Sequence, residues 1–320
     1  MLFRSAVGGT VRWFHGAYGS PGVRFVNDPD NSEREDNLLA TAFADLTLSR
    51  EWTARALLGG QDRRFVAESP RAGRPTAFTV VKNRRTVADL QTTWTGAERH
   101  RLTAGVNAER NHTTNSGFGA IDRGQRLLAV FAQDEFSPRD DIFLTAGVRN
   151  DDFDTFGRAT TGRLTAAWLA PGRRWKLRAS HGTAFRSPSF LDLYGRSAFY
   201  TGNPALRPER AAGWDAGVDI QVTKAGTISV TWHETRLRDL IASTANFRSV
   251  ENIQRARTRG LEVSGRLAAS AAEVRWSYGY LEADNLTTDR RLLRRPRHRG
   301  SVDLWRDFTD RKSTRLNSSH

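Results

Sequence analysis

The sequence predicts an all-β protein, more specifically a transmembrane up-and-down antiparallel β-barrel. Three observations support this: apolar and polar residues alternate in short runs, connections are alternately short and long, and tryptophans fall near strand ends or in phase with the apolar residues. An alternation with a period of two residues is typical of strands with one apolar face. Because barrel strands also have a polar inner face, a mean hydropathy of -0.57 is compatible with a spanning barrel.

The alternation identifies the strands. In the segment 214–222, tryptophan, alanine, valine and isoleucine alternate with aspartate, glycine and glutamine, and helical spacing does not fit. The segment 126–136 is ambiguous, because both of its faces have apolar residues. About 14 strands are predicted, near residues 5–17, 38–48, 53–65, 85–95, 101–112, 126–136, 142–150, 161–170, 175–185, 211–222, 227–238, 255–268, 273–283 and 298–306.

The connections between these strands indicate how the barrel is oriented. Tight turns alternate with longer connections along the whole chain, and the longer ones are expected at 18–37, 66–84, 113–125, 151–160, 186–210, 239–254 and 284–297. In an up-and-down meander, alternate connections lie at the same rim. The pattern therefore predicts short periplasmic turns and long extracellular loops. A soluble propeller would instead repeat at a fixed period, and no such repeat is present in the sequence.

Composition and motifs argue against several other classes of protein. The chain has no cysteine, which excludes disulfides and cysteine-ligated metals. Its formal net charge is +14, but the basic residues are spread through every segment, so a nucleic-acid-binding surface is not expected. The seven histidines are isolated and no catalytic motif is complete, so no enzyme is predicted. No signal peptide is visible, which suggests that the true start lies upstream.

A long motif resembles a known family. Residues 184–194 read Ala-Phe-Arg-Ser-Pro-Ser-Phe-Leu-Asp-Leu-Tyr, and residues 202–210 read Gly-Asn-Pro-Ala-Leu-Arg-Pro-Glu-Arg. This order is similar to the barrel motif of TonB-dependent outer-membrane receptors, where it lies at an extracellular loop. Pro204 and Pro208 also restrict the preceding residues, which stiffens the loop before the next strand. Further matches extend the resemblance over roughly 125–305.

Within this family, residues 149–158 and 280–298 resemble the vitamin B12 (cobalamin) receptors, and siderophore receptors share parts of both segments. The resemblance implies active uptake of a large, scarce nutrient, with TonB acting on a plug domain. The expected nutrient is cobalamin, the alternatives being a siderophore or a passive porin-like channel. The complete protein is expected to be a monomer in outer-membrane lipid, with no nucleic-acid partner.

The resemblance also implies that the chain is incomplete. A receptor of this family has a plug domain before its barrel and about 22 strands, against the 14 predicted. Residues 1–311 are therefore expected to be a partial barrel without its plug. Residues 312–320 lose the alternation and are expected to be a non-native tail. An unclosed sheet leaves its edge strands unpaired in lipid, so this segment alone is not expected to fold stably or to transport.

Candidate sites are confined to the predicted loops. The loop at 27–36 is rich in carboxylates, which are ligands for calcium, and the resemblance places a calcium site in an early loop. Its candidate ligands are Asp28, Asp30 and Asp36, the alternative being a solvated acidic loop; no other cofactor is expected. Candidate substrate contacts are Phe199, Tyr200 and Asn203. For the two aromatic residues, stacking on a ligand and anchoring at the membrane interface are both open.

Overall fold

The computed structural model describes residues 5–20, 30–71, 74–269 and 272–306. Within these residues the chain forms one antiparallel sheet of 15 strands, in which consecutive strands pair with each other up to β13. The strands are β1 (Ser5–Gly19), β2 (Ser32–Thr47), β3 (Trp52–Arg71), β4 (Arg74–Trp94), β5 (His100–Asn115), β6 (Ile121–Arg139), β7 (Ile142–Phe153), β8 (Gly157–Leu169), β9 (Trp175–Arg186), β10 (Glu209–Thr223), β11 (Gly226–Ser243), β12 (Val250–Ala269), β13 (Ala272–Asn285), β14 (Arg290–Arg291) and β15 (His298–Arg306).

All 14 predicted strands are present, and the up-and-down topology is confirmed. The additional strand, β14, has two residues and pairs with the end of β13, which also pairs with β15. Among the described residues no pairing joins β1 to β15, so the sheet is unclosed, as expected for part of a barrel. In the described part of the chain, no helix is long and apolar enough to cross a membrane.

The strand register separates an apolar face from a polar face. Val218 of β10 lies opposite Val230 of β11, which lies opposite Val263 of β12, so residues of one phase form continuous apolar rows. Large apolar residues of this phase are solvent-exposed; Val11, for example, is 77% exposed. Because an exposed apolar band is the surface that a barrel presents to lipid, we assign this phase to the outside of the barrel.

The opposite phase is polar and forms the inner wall. Arg178 lies 3.3 Å from the Asp219 carboxylate and donates to the Thr231 hydroxyl at 2.5 Å. Arg149 lies 2.9 Å from the carboxylate of Asp151. These pairs join neighbouring positions of the inner wall.

The prediction of a long loop at 66–84 is wrong. Strand β3 continues to Arg71 and β4 begins at Arg74, so most of this segment is a strand hairpin. Beyond the membrane both faces of a strand are in water, so the alternation on which the prediction depended disappears there. Cross-strand polar contacts hold the extension together instead: Arg34 of β2 lies 2.9 Å from Glu68 of β3.

The connection between β9 and β10, residues 187–208, has its own small apolar cluster. It contains a short helix, α1 (Phe190–Tyr194). Leu193 and Leu206 are buried together with Val250 of β12. Partly buried residues packed against them are Phe156, Tyr194, Tyr200 and Ile241. The most compact apolar packing in the described residues is therefore at the long-loop rim, where it positions the loop described next.

Candidate functional site

The segment 187–208, named here the motif loop, is fixed at its two ends by one carboxylate. Arg186, the last residue of β9, donates two hydrogen bonds to Glu209, the first residue of β10, at 2.6 and 2.9 Å. Glu209 is only 8% exposed, and it also accepts the backbone N–H of Ile241 at 2.7 Å. A buried carboxylate with three donors is well satisfied, so Glu209 closes the base of the motif loop and joins it to β11.

Helix α1 is held by local hydrogen bonds within the motif loop. Ser189 and Asp192 form a capping box, in which each side chain bonds to the backbone N–H of the other residue. Gly202 packs directly against this helix, and a Cβ added to it would lie 2.8–2.9 Å from backbone atoms of Asp192, Leu193 and Gly195. Only glycine leaves room for this approach, which explains the glycine of the Gly-Asn-Pro motif.

On one side, the motif loop is bonded to the β11–β12 hairpin. The Asn203 side chain donates to the carbonyl of Val250 at 3.1 Å. The Asn252 side-chain amide donates to the carbonyl of Arg207 at 2.9 Å and accepts the Arg207 N–H at 2.8 Å. Asn252 therefore satisfies both backbone groups of Arg207, which belongs to no ladder, and Asn203 bonds the motif loop to the first residue of β12.

On the other side, the motif loop reaches the β5–β6 hairpin. Arg196 donates its backbone N–H to the carbonyl of Phe118 at 3.0 Å. The ring of Phe118 lies edge-on to that of Tyr200, with 6.4 Å between centroids, and the guanidinium of Arg123 lies 4.8 Å from the centre of the Tyr194 ring. The loop thus extends from β5–β6 to β11–β12, across the ends of the strands between them.

Beneath the motif loop there is a pocket of about 420 Å³ on the inner face of β5 and β6, named here the loop pocket. Its wall side is rich in side-chain amides and hydroxyls, and its loop side includes the aromatic ring of Phe190. None of its lining residues has a charged side chain. The residues that line it are Asn111, Thr113, Asn115, Ile121 and Gln125 from the hairpin, and Ser187, Pro188, Ser189, Phe190 and Leu191 from the loop.

Three wall residues of the loop pocket are pre-positioned by neighbours. The side-chain amide of Asn83 donates to Asn111 at 3.0 Å and to Thr113 at 2.8 Å. The Gln125 amide donates to the Thr155 hydroxyl at 2.7 Å. Neutral donors and acceptors held in this way suit a ligand with several uncharged polar groups.

The three predicted substrate contacts have different surroundings. Phe199 is 77% exposed at the tip of the motif loop. Tyr200 is half-buried in the apolar cluster, and burial together with the nearby Asp192 carboxylate raises the pKa of its phenol. Asn203 is engaged in the hydrogen bond to Val250 described above. Of the three, only Phe199 presents its side chain freely to solvent; ligand contact by these residues stays a prediction.

The predicted calcium ligands are only partly described. Asp28 lies outside the described residues, Asp30 is exposed in the turn before β2, and Asp36 lies within β2. The Asp36 carboxylate is 2.6 Å from the imidazole of His15. Within the described ranges, no group of three or more histidine or carboxylate side chains is placed to hold a metal ion. Calcium binding therefore stays a prediction, and nothing below depends on it.

Sequence reasoning did not select the wall of the loop pocket. Asn111, Thr113 and Gln125 belong to no motif, and they lie far in sequence from the loop that covers them. The alternation in β5 does place Asn111 and Thr113 in the polar phase, so a signal was present. The sequence did not indicate that the motif loop would fold over these residues.

Comparisons with known proteins agree with this architecture. Residues 3–318 match the family model described as TonB dependent receptor-like, beta-barrel. The chain is 27% identical over 227 residues to the vitamin B12 transporter BtuB of Photobacterium profundum, which covers 67% of this chain. It is also similar to the siderophore receptor PirA of Acinetobacter baumannii (TM-score 0.72, 15% identity, 89% of this chain) and to the copper transporter OprC (TM-score 0.70, 14% identity, 96% of this chain).

The chain corresponds to only part of these relatives. It spans 36% of the length of BtuB, 49% of that of PirA and 64% of that of OprC. At 14–15% identity the solved structures establish the fold alone. Barrels of this family are outer-membrane proteins, and the family consists of transport receptors rather than enzymes. Because the family model matches the chain along almost its whole length, the chain belongs to the TonB-dependent receptors and forms part of their outer-membrane β-barrel.

Proposed function

We propose that the protein containing this chain takes up cobalamin by TonB-dependent active transport. The observation that carries the proposal is the match to a vitamin B12 transporter over two thirds of the chain. In this proposal the motif loop and its neighbours capture the nutrient outside the cell. TonB then acts through a plug domain, and the barrel wall described here encloses the path.

The loop pocket supports cobalamin over an anionic iron chelate. Cobalamin has amide groups around its ring, and these can exchange hydrogen bonds with the neutral side chains of Asn111, Thr113 and Gln125. A strongly anionic ferric chelate would be expected to select a cationic lining, because complementary charge guides recognition. No arginine or lysine lines the loop pocket.

The polar inner wall supports the part that the proposal assigns to a plug. Inner-wall ion pairs such as Arg63–Glu35 and Arg85–Glu109, each at 2.6 Å, leave a wall that is polar but largely charge-balanced. A plug held against such a wall by hydrogen bonds can be released without separating strong ion pairs. We propose that this wall receives the plug in the full-length protein.

The experiment measures binding by the full-length receptor in detergent micelles. The double variant Asn111→Ala with Gln125→Ala is compared with the control Gln91→Ala, which removes the same kind of amide from the lumen phase near the opposite rim. Each lost hydrogen bond is expected to cost about 0.5–1.5 kcal/mol. The double variant should therefore bind cyanocobalamin about tenfold more weakly, and Gln91→Ala should bind it as the wild type does.

Three results would contradict the proposal. Binding of a ferric catecholate complex with no binding of cyanocobalamin would establish the siderophore alternative. Uptake of small solutes that continues without TonB would establish a passive channel. Equal cyanocobalamin affinity in the double variant and the wild type would show that the loop pocket is not the binding site.

A further inference from the structure

Three arginines form a row across adjacent strands on the outer face of the barrel. Arg210 of β10 lies directly opposite Arg238 of β11, and Arg238 lies directly opposite Arg255 of β12. All three are exposed. Neighbouring strands are about 4.8 Å apart, so the row spans about 10 Å of the outer face. We name this set the arginine row.

The arginine row lies just beyond the apolar band, toward the long-loop rim. It has the same phase as Trp214, Trp232 and Leu261, which are exposed on the lipid-facing side. Arg210 is four residues from Trp214 along β10, which at about 3.3 Å per residue is about 13 Å of strand. The row therefore faces the level where acyl chains give way to lipid head groups.

Between the apolar band and the arginine row, the outward charges form ion pairs. Arg236 lies 2.7 Å from Glu234, Arg259 lies 2.6 Å from Glu282, and Arg257 lies 3.8 Å from Asp284. By contrast, no hydrogen bond or ion pair to the guanidinium groups of the three arginines is found in the described part of the chain. The one outward carboxylate beyond the row on these strands is Glu251, four residues from Arg255 along β12.

An unpaired row of this kind can be stabilised by an anion from outside the protein. Like charges directly opposite each other destabilise a sheet, and here two such contacts are adjacent. Arginine binds phosphate oxygens through its fork of N–H donors, often with two hydrogen bonds at once. At a membrane surface, basic residues attract anionic head groups, and each contributes about a fivefold increase in affinity.

We propose that the arginine row is a binding site for phosphate-bearing glycolipid head groups of the outer leaflet. The acyl chains of the bound lipid pack on the apolar band below, and its phosphates are held by Arg210, Arg238 and Arg255. The site is separate from the loop pocket, which lies on the inner face, so it requires the membrane location of the barrel but not a particular transported substrate.

The test uses the full-length receptor in dodecyl maltoside micelles and diphosphorylated lipid A as the titrated probe. The triple variant Arg210→Gln, Arg238→Gln, Arg255→Gln is compared with a control of equal charge loss at the opposite rim. That control is Arg50→Gln, Arg174→Gln, Lys224→Gln, whose residues are exposed in tight turns. At about fivefold per residue, the triple variant should bind lipid A about 100-fold more weakly, and the control should change affinity less than threefold.

Two additions make the result interpretable. The single variant Arg238→Gln removes only the central charge and should weaken binding about fivefold, which keeps the test valid if the triple variant does not fold. Lipid A without its phosphates should bind the wild type and the triple variant equally. The proposal is overturned if the triple variant binds lipid A like the wild type, if the control loses as much affinity, or if millimolar inorganic phosphate displaces lipid A completely, since that would indicate a site for the free anion.

Discussion

Glu209 is expected to determine whether the motif loop stays closed. Replacing it with alanine removes the acceptor for the backbone N–H of Ile241 and both acceptors for Arg186. An unsatisfied buried N–H costs about 1–3 kcal/mol. The Arg186 side chain is 63% exposed and can be solvated by water, so the lost ion pair should add no more than about 1 kcal/mol. The total is about 1–4 kcal/mol.

This cost should appear as local opening rather than as unfolding of the barrel, because the ladder hydrogen bonds of β9 and β10 are unaffected. Hydrogen exchange of the Ile241 amide, measured on the full-length receptor in micelles, reports on that opening. Since 1.4 kcal/mol corresponds to a factor of ten, the amide of Glu209→Ala should exchange at least about fivefold faster than that of the wild type. Glu209→Gln keeps an oxygen acceptor and should show a smaller increase.

Glu98→Ala is the matched control. Glu98 is also a glutamate beside an arginine, but its side chain is 90% exposed and lies at the opposite rim. Its removal should leave the exchange of Ile241 unchanged, because an exposed ion pair contributes little. If Ile241 exchanges within threefold of the wild-type rate in Glu209→Ala, the buried carboxylate does not close the loop and the reasoning fails.

Two further predictions concern the same rim. Gly202→Ala should destabilise the motif loop by about 1–3 kcal/mol, because the added Cβ would clash with backbone atoms. In the control Gly60→Ala the added Cβ has nothing within 4 Å, so stability and amide hydrogen exchange should be unchanged. Equal hydrogen exchange of residues 190–206 in the two variants would refute the close-packing account. For the early acidic loop, calorimetry of the full-length receptor should show Ca²⁺ binding that is lost when Asp28, Asp30 and Asp36 are all replaced by asparagine. Binding should be kept when Asp151, Asp152 and Asp154 are replaced by asparagine instead. Equal heats of Ca²⁺ binding from the two triple variants would contradict the site.

The strands could be predicted from sequence wherever lipid imposes the alternation. The strand expected near 298–306 is found at His298–Arg306, and the one expected near 175–185 at Trp175–Arg186. The error is at the extracellular ends: the strand expected to begin at 85 begins at Arg74. There the environment on both faces is water, so no pattern marks the continuation, and cross-strand pairs such as Arg34–Glu68 decide it.

Only part of the candidate site could be predicted from the sequence. The motif located the loop, and the spacing of Ser189 and Asp192 is a recognisable helix start. The hydrogen bonds of Asn203 to another hairpin, and the covering of Asn111 and Gln125 by the loop, depend on contacts between distant segments. Such contacts depend on which strands the motif loop folds against, and no local sequence pattern predicts that.

The arginine row shows why an even spread of charge along a barrel sequence does not exclude a charged site. Arg210, Arg238 and Arg255 are far apart in the chain, but the antiparallel register places them side by side. The informative property is whether each charge has a partner, not how dense the charges are in sequence. Arg236, two residues before Arg238, has Glu234 as its partner, and the next outward position on the same strand has none in the described residues. In a membrane barrel the missing partner can be a lipid, so an unpaired outward arginine beyond the apolar band indicates where the protein meets the membrane surface.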